Sequence, residues 1–142
     1  MPSLSVQIND LLGVGPVLEV RLLPVRTNAR QSRKQRARAP EPVAVTALID
    51  TGATSTVLKR SVAETMGLKA VDVASVHTAS SANVLCVRYD LRLVLRRDLT
   101  FDVRALGLPM EGQNIDCLIG RDVLAKAVFL YLGRQNQFVL AV

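Results

Sequence analysis

Two short stretches place residue types where chemistry would need them. The first is Ala47-Leu-Ile-Asp-Thr-Gly-Ala-Thr-Ser-Thr-Val-Leu58, in which an apolar run ends abruptly in Asp50. Asp is depleted in strands and costly to bury unless it is hydrogen-bonded or at work as an acid or base. The order reads as a buried strand delivering one carboxylate to a tight turn. In that turn the Thr51 hydroxyl can bond backbone groups and Gly52 permits approaches that a Cβ would block. Taken alone, Asp-Thr-Gly is short enough to match by accident, and an ordinary surface turn explains it more simply. The second stretch is Ile115-Asp-Cys-Leu-Ile-Gly-Arg-Asp-Val-Leu124, where an apolar strand again runs into a Gly. Other chemistries find little support. His77 is the only His, and the isolated Cys86 and Cys117 match no zinc spacing, so neither a metal nor a cofactor is expected.

The elements that must position these stretches are mostly strands. Hydrophobic residues make up 49% and aromatics 4%, so the core is built from Val, Leu, Ile and Ala, a strand-favouring set. Strands are expected over 16–23, 43–49, 71–76, 84–95, 99–106, 117–119, 128–132 and 138–142. Short helices are expected over 59–66, with Gly67 as the stop, and over 122–127, where Asp122 suits the first turn. The small polar segment 77–83 has the composition of a hairpin tip, and 107–114 reads as a loop. A strand, Gly turn and short helix occur at 47–67 and again at 115–127, which suggests two similar half-lobes. At 142 residues the chain is long enough for one compact domain, expected over 1–142, and short for two.

Charge is concentrated rather than spread. Arg26, Arg30, Arg33, Lys34, Arg36 and Arg38 equal the whole excess of 18 basic over 12 acidic residues, leaving the remainder balanced. The segment 26–42 is therefore expected to be an exposed basic loop insertion. A nucleic-acid contact through 26–38 is the less favoured reading of this loop, because it has no aromatic residues for base stacking. No apolar run approaches the ~20 residues a membrane-spanning helix needs. The start, Met-Pro-Ser-Leu-Ser-Val-Gln-Ile-Asn-Asp10, does not read as a secretory leader. With two thiols and no disulfide framework, a reducing, cytoplasmic setting is expected.

Leu48-Ile-Asp-Thr-Gly-Ala-Thr54, followed by a short polar hairpin and, 70 residues on, by Leu118-Ile-Gly-Arg-Asp-Val-Leu124, resembles the retropepsins. These are the retroviral-type aspartic proteases, and the resemblance covers roughly 43–132. It implies a mostly β fold, a closed barrel-like single lobe with one or two short helices and an active site completed by dimerisation. It also implies an endopeptidase that activates water with two carboxylates sharing one proton. The chain has a single Asp-Thr-Gly, and Gly120-Arg121-Asp122 stands where a second would be, so the partner carboxylate is expected to be Asp50 of a second copy. Asp50 is then catalytic, with Thr51 and Gly52 forming the active-site turn. Ala53, Thr54 and Ser55 border substrate, joined by Ala79, Ser80 and Ser81 at the tip of a covering flap. Gly120, Arg121 and Asp122 give structural support. His77 is expected to be an exposed residue at the flap base. The partners implied are a second copy and a peptide or protein substrate.

This chain also departs from the viral pattern. Thr54 stands where viral members usually carry an acid that pairs with the Arg of the second motif, so Arg121 needs another partner, such as Asp122 or a carbonyl. The flap lacks glycines, the basic loop has no viral counterpart, and 128–142 forms a hairpin rather than one strand. These features point to the cellular or bacterial branch. The competing expectation is a catalytically inactive module of the same fold that serves dimerisation or partner binding.

Overall fold

The computed structural model describes residues 1–25, 41–77, 79–80 and 83–142. The basic segment lies outside these except for the exposed Glu41 and Pro42, and Ser81 lies outside them too. Ten strands dominate the described residues. In chain order they are β1 (Ser3–Gln7), β2 (Val17–Pro24), β3 (Val43–Ile49), β4 (Val57–Lys59), β5 (Asp72–Val76), β6 (Val84–Arg96), β7 (Leu99–Leu108), β8 (Cys117–Ile119), β9 (Val128–Leu132) and β10 (Gln137–Ala141). The described helices are short: α1 (Leu11–Val14), α2 (Arg60–Thr65) and α3 (Arg121–Leu124). None of them is long and apolar enough to cross a membrane.

A seven-stranded sheet runs β2-β3-β8-β4-β7-β6-β5, and a further pairing of β2 with β6 closes six of its strands into a barrel. The closure depends on the length of β6. Its first half pairs with β5 from Val84↔Val76 to Arg88↔Asp72, and its second half pairs with β2 from Leu91↔Pro24 to Val94↔Arg21. Sequence alternation sets the inside. On β6 Tyr89, Leu91, Leu93 and Leu95 point to the core, as do Leu99, Phe101, Val103 and Ala105 on the facing β7. Each such burial stabilises by about 1.5–3 kcal/mol relative to exposure for the larger side chains. The opposite face carries charges that pair across strands, Arg92 with Asp102 and Arg104 with Asp90.

A second, three-stranded sheet, β1-β10-β9, joins the two ends of the chain. It turns Phe138 and Leu140 inward with no exposed surface, and Phe129 meets Phe138 at 6.2 Å between ring centroids. The expected strands are all present, with the following differences. β1 and α1 were not among the expected elements, and β7 runs two residues further, to Leu108. The expected helix 59–66 begins one residue later because Val57–Lys59 is a strand inserted between β8 and β7. The expected helix 122–127 is a single turn at Arg121–Leu124.

Candidate active site

β3 is held on both sides up to its last residue. It runs antiparallel to β2 and parallel to β8, with Leu48 opposite Leu118 and Ile49 opposite Ile119. The Ile49 amide donates to the Pro16 carbonyl (3.0 Å) and the Asp50 amide to the Ile119 carbonyl (2.9 Å). Asp50 thus emerges from a fixed backbone into a turn closed by the Ala53 amide donating to the Asp50 carbonyl at 3.2 Å. The Gly52 amide donates to Asp50 Oδ1 at 2.9 Å, which aims the carboxylate. A Cβ at Gly52 would lie 3.2 Å from that same oxygen, a tight contact that would press on the carboxylate. Asp50 itself remains half-buried, while Thr51 and Gly52 are exposed.

The second motif locks this turn from below. The Arg121 amide donates to the Ala53 carbonyl (2.9 Å), and its guanidinium donates to the Thr51 carbonyl (2.8 Å) and the Thr54 hydroxyl (3.2 Å). A carbonyl and a hydroxyl therefore take the place of the missing acid, and Asp122 is engaged elsewhere. Its Oδ2 accepts from the Thr56 amide (3.0 Å), and its Oδ1 accepts from the Thr56 hydroxyl (2.8 Å) and the Val123 amide (3.0 Å). The same Thr56 hydroxyl accepts from the Gly120 amide at 3.3 Å. Gly120 is packed so closely that a Cβ would sit 2.5 Å from the carbonyl carbon of Ser55. Thr56 has no exposed surface and is the only buried polar residue among those described. Sequence reasoning passed over it. Nothing local separates it from Thr54, and only the tertiary pairing with Asp122 marks it out.

An open cleft of about 510 Å³ begins at this turn. Gly52, Ala53, Thr54 and Ser55 form one wall, and Ala74, Ser75, Val76 and His77 on the β5 side of the hairpin form the opposite one. Val57, Leu106, Leu108 and Arg88 close it between them. Asp50 stands beside the cleft, through its contact with Gly52, rather than in its wall. Three of the residues expected to border substrate, Ala53, Thr54 and Ser55, are thus brought together. Ala79 and Ser80 are exposed at the hairpin tip and do not line the cleft, and Ser81 lies outside the described residues. His77 is exposed, as expected of a flap-base residue, and also lines the cleft. Among the described residues no three His, Cys, Asp or Glu side chains cluster as a metal site would require.

Comparison with known proteins agrees with this arrangement. A retropepsin-like aspartic protease from Rickettsia conorii has a crystal structure that aligns over 99% of this chain and 94% of its own, with a TM-score of 0.58 at 15% identity. At that identity the likeness shows the fold, which is retropepsin-like. A search of curated proteins by sequence found no match. The family described as aspartyl protease matches residues 41–123, which span β3, the Asp50 turn, the hairpin, β8 and most of α3. The chain belongs to the aspartyl protease family.

Proposed function

We propose that this chain is an aspartic endopeptidase that works as a homodimer, each copy supplying one Asp50 to a shared pair. The observation that carries the reading is the state of the neighbouring carboxylates. Asp122 is saturated by Thr56 and Val123, and Asp116 by the Thr46 amide (3.1 Å) and Lys59 Nζ (3.4 Å). The two acids that flank β8 are thus structural, and Asp50 remains as the half-buried acid of the turn beside the cleft. Peptide hydrolysis by an aspartic pair needs two carboxylates, and a twofold axis beside Asp50 supplies the second.

In the pair one carboxylate is ionised and the other protonated, because like charges that close do not both ionise. The ionised one takes a proton from water as the oxygen attacks the scissile carbonyl. The protonated one gives its proton to the carbonyl oxygen, which yields a neutral tetrahedral diol. Collapse returns a proton to a carboxylate and delivers another to the departing nitrogen, so the pair ends as it began. Retaining one shared proton favours mildly acidic conditions. The hairpin β5–β6 closes over the substrate and excludes water, and the apolar Val57, Val76, Leu106 and Leu108 favour apolar residues beside the cleaved bond. Asp50→Asn keeps the bond from the Gly52 amide while removing the base. It should abolish cleavage of an unstructured protein without unfolding the chain. A stable dimer that cleaves nothing between about pH 4 and 7 supports the inactive-module reading instead.

A further inference from the structure

The cleft contains one charged group that hydrolysis at Asp50 does not use. Asp72, Arg88 and Leu106 lie opposite one another across β5, β6 and β7, and Leu106 is the parallel partner of Val57. Opposed residues share a face of the sheet, as do residues two positions apart along a strand. One face therefore runs Asp72, Arg88, Leu106, Val57, with Ala74 and Val76 further along β5 and Leu108 further along β7. Apart from Asp72 all of these line the cleft, and Arg88 is the one permanently charged residue in its described lining.

The Arg88 guanidinium is half engaged. Nε and Nη2 donate to the two oxygens of Asp72, and among the described residues Nη1 has no acceptor. The side chain is 36% exposed. Asp72 is braced in turn by Arg104 at 3.4 Å, and Arg104 is forked onto Asp90. Arg88 is thus pre-oriented, with a donor edge left over beside an apolar surface. We infer that Arg88 is a specificity-determining residue whose Nη1 edge receives the carboxylate of an acidic substrate side chain, the aliphatic stem of that side chain lying on Leu106, Ala74 and Val76. The inference rests on the peptidase reading, since it takes the cleft as a peptide site. A planar guanidinium suits a carboxylate, and a charge-assisted hydrogen bond is roughly twice as strong as a neutral one, so Glu is preferred over Gln and Gln over Leu. The hydrogen bond from Arg88 holds the Asp72 carboxyl below its ordinary range, which keeps the fork fixed in mild acid.

The test uses Asp50→Asn, in which binding is separated from cleavage. Labelled peptides differing only by Glu, Gln or Leu at each position around an apolar pair are titrated by fluorescence anisotropy at about pH 6, where glutamate is ionised. At one position Glu should bind about tenfold more tightly than Leu, with Gln between. Adding Arg88→Gln should remove the difference. Arg92→Gln, on the same sheet face outside the cleft, should preserve it. Arg88→Lys keeps the ion pair but loses the second donor edge, and it gives the same loss should Arg88→Gln fail to fold. The inference is overturned by no Glu preference at any position, by a preference that survives at Arg88→Gln, or by no peptide binding at all. Cleavage of the same peptides by the wild type separates the two ideas. Cleavage without a Glu preference leaves the peptidase and removes the role of Arg88. Glu-dependent binding without cleavage does the reverse.

Discussion

Thr56→Val isolates the contact that joins the two motifs, because valine keeps the shape and removes only the hydroxyl. In the wild type that hydroxyl donates to Asp122 Oδ1 at 2.8 Å and accepts from the Gly120 amide at 3.3 Å, with no exposed surface. The lost bond to a charged acceptor is worth about 1.5–3 kcal/mol, and an unpaired buried amide costs about 1–3 kcal/mol. Asp122 keeps the amides of Thr56 and Val123, so the carboxylate is not orphaned and the lower half of the summed range applies. The expected loss is about 3 kcal/mol. Thr56→Ser keeps both bonds and loses one methyl, for about 1 kcal/mol. Urea unfolding at fixed protein concentration reads both, and an unchanged slope shows that the midpoint reports stability. A Thr56→Val protein within about 0.5 kcal/mol of wild type, or a serine variant as unstable as the valine one, would refute the assignment of the hydroxyl as the link.

Gly120→Ala drives a Cβ to 2.5–2.9 Å from the Ser55 and Thr56 backbone, so the turn below Asp50 must shift. Peptidase activity should fall steeply and stability by about 1–3 kcal/mol, whereas normal activity and stability would contradict the close packing. Cys117 is buried, and its thiol is pushed up to about 12, first by burial and then by the charges of Asp122 and Asp116. A thiol reagent at about pH 8 should therefore label it only after unfolding, and rapid labelling of the native protein would show that β8 opens. Asp102 is held below its ordinary range, first by the hydrogen bond from Arg92 and then by its charge. A carboxylate lowered on folding stabilises above its unfolded value, about 3.9, and that contribution is lost as pH falls through the lowered value. Any melting-temperature difference between wild type and Arg92→Gln should thus persist from pH 7 to about pH 5 and shrink below about pH 4. A difference already gone at pH 5 counts against the pair.

The site was legible where residue order was locally anomalous. A carboxylate at the end of Ala47-Leu-Ile, and a Gly-Arg-Asp at the end of Cys117-Leu-Ile, are expensive unless something fixes them, and the parallel pairing of β3 with β8 brings the two together. What stayed hidden depended on long-range partners. β1 alternates as a strand should, but its partner β10 lies at the far end of the chain, with Ser3 opposite Ala141. β4 is three residues long and is a strand only because β7 and β8 flank it. Thr56 reads like its neighbours until Asp122 arrives 66 residues later. β6 reads as one long strand, but its division between β5 and β2, which closes the barrel and frees the hairpin, is a tertiary choice. The basic segment 26–40, so prominent in composition, lies outside the described residues.

The central claim is that Asp50 is half of a catalytic pair completed by a second copy. Solution mass and peptide cleavage, measured side by side for wild type and Asp50→Asn at mildly acidic pH, test it most directly. The account predicts a dimer in both and cleavage only in the wild type. Mixing the two should leave the heterodimers inactive, so activity falls with the square of the wild-type fraction. Activity that falls only in proportion to that fraction, or cleavage that survives in Asp50→Asn, would contradict it.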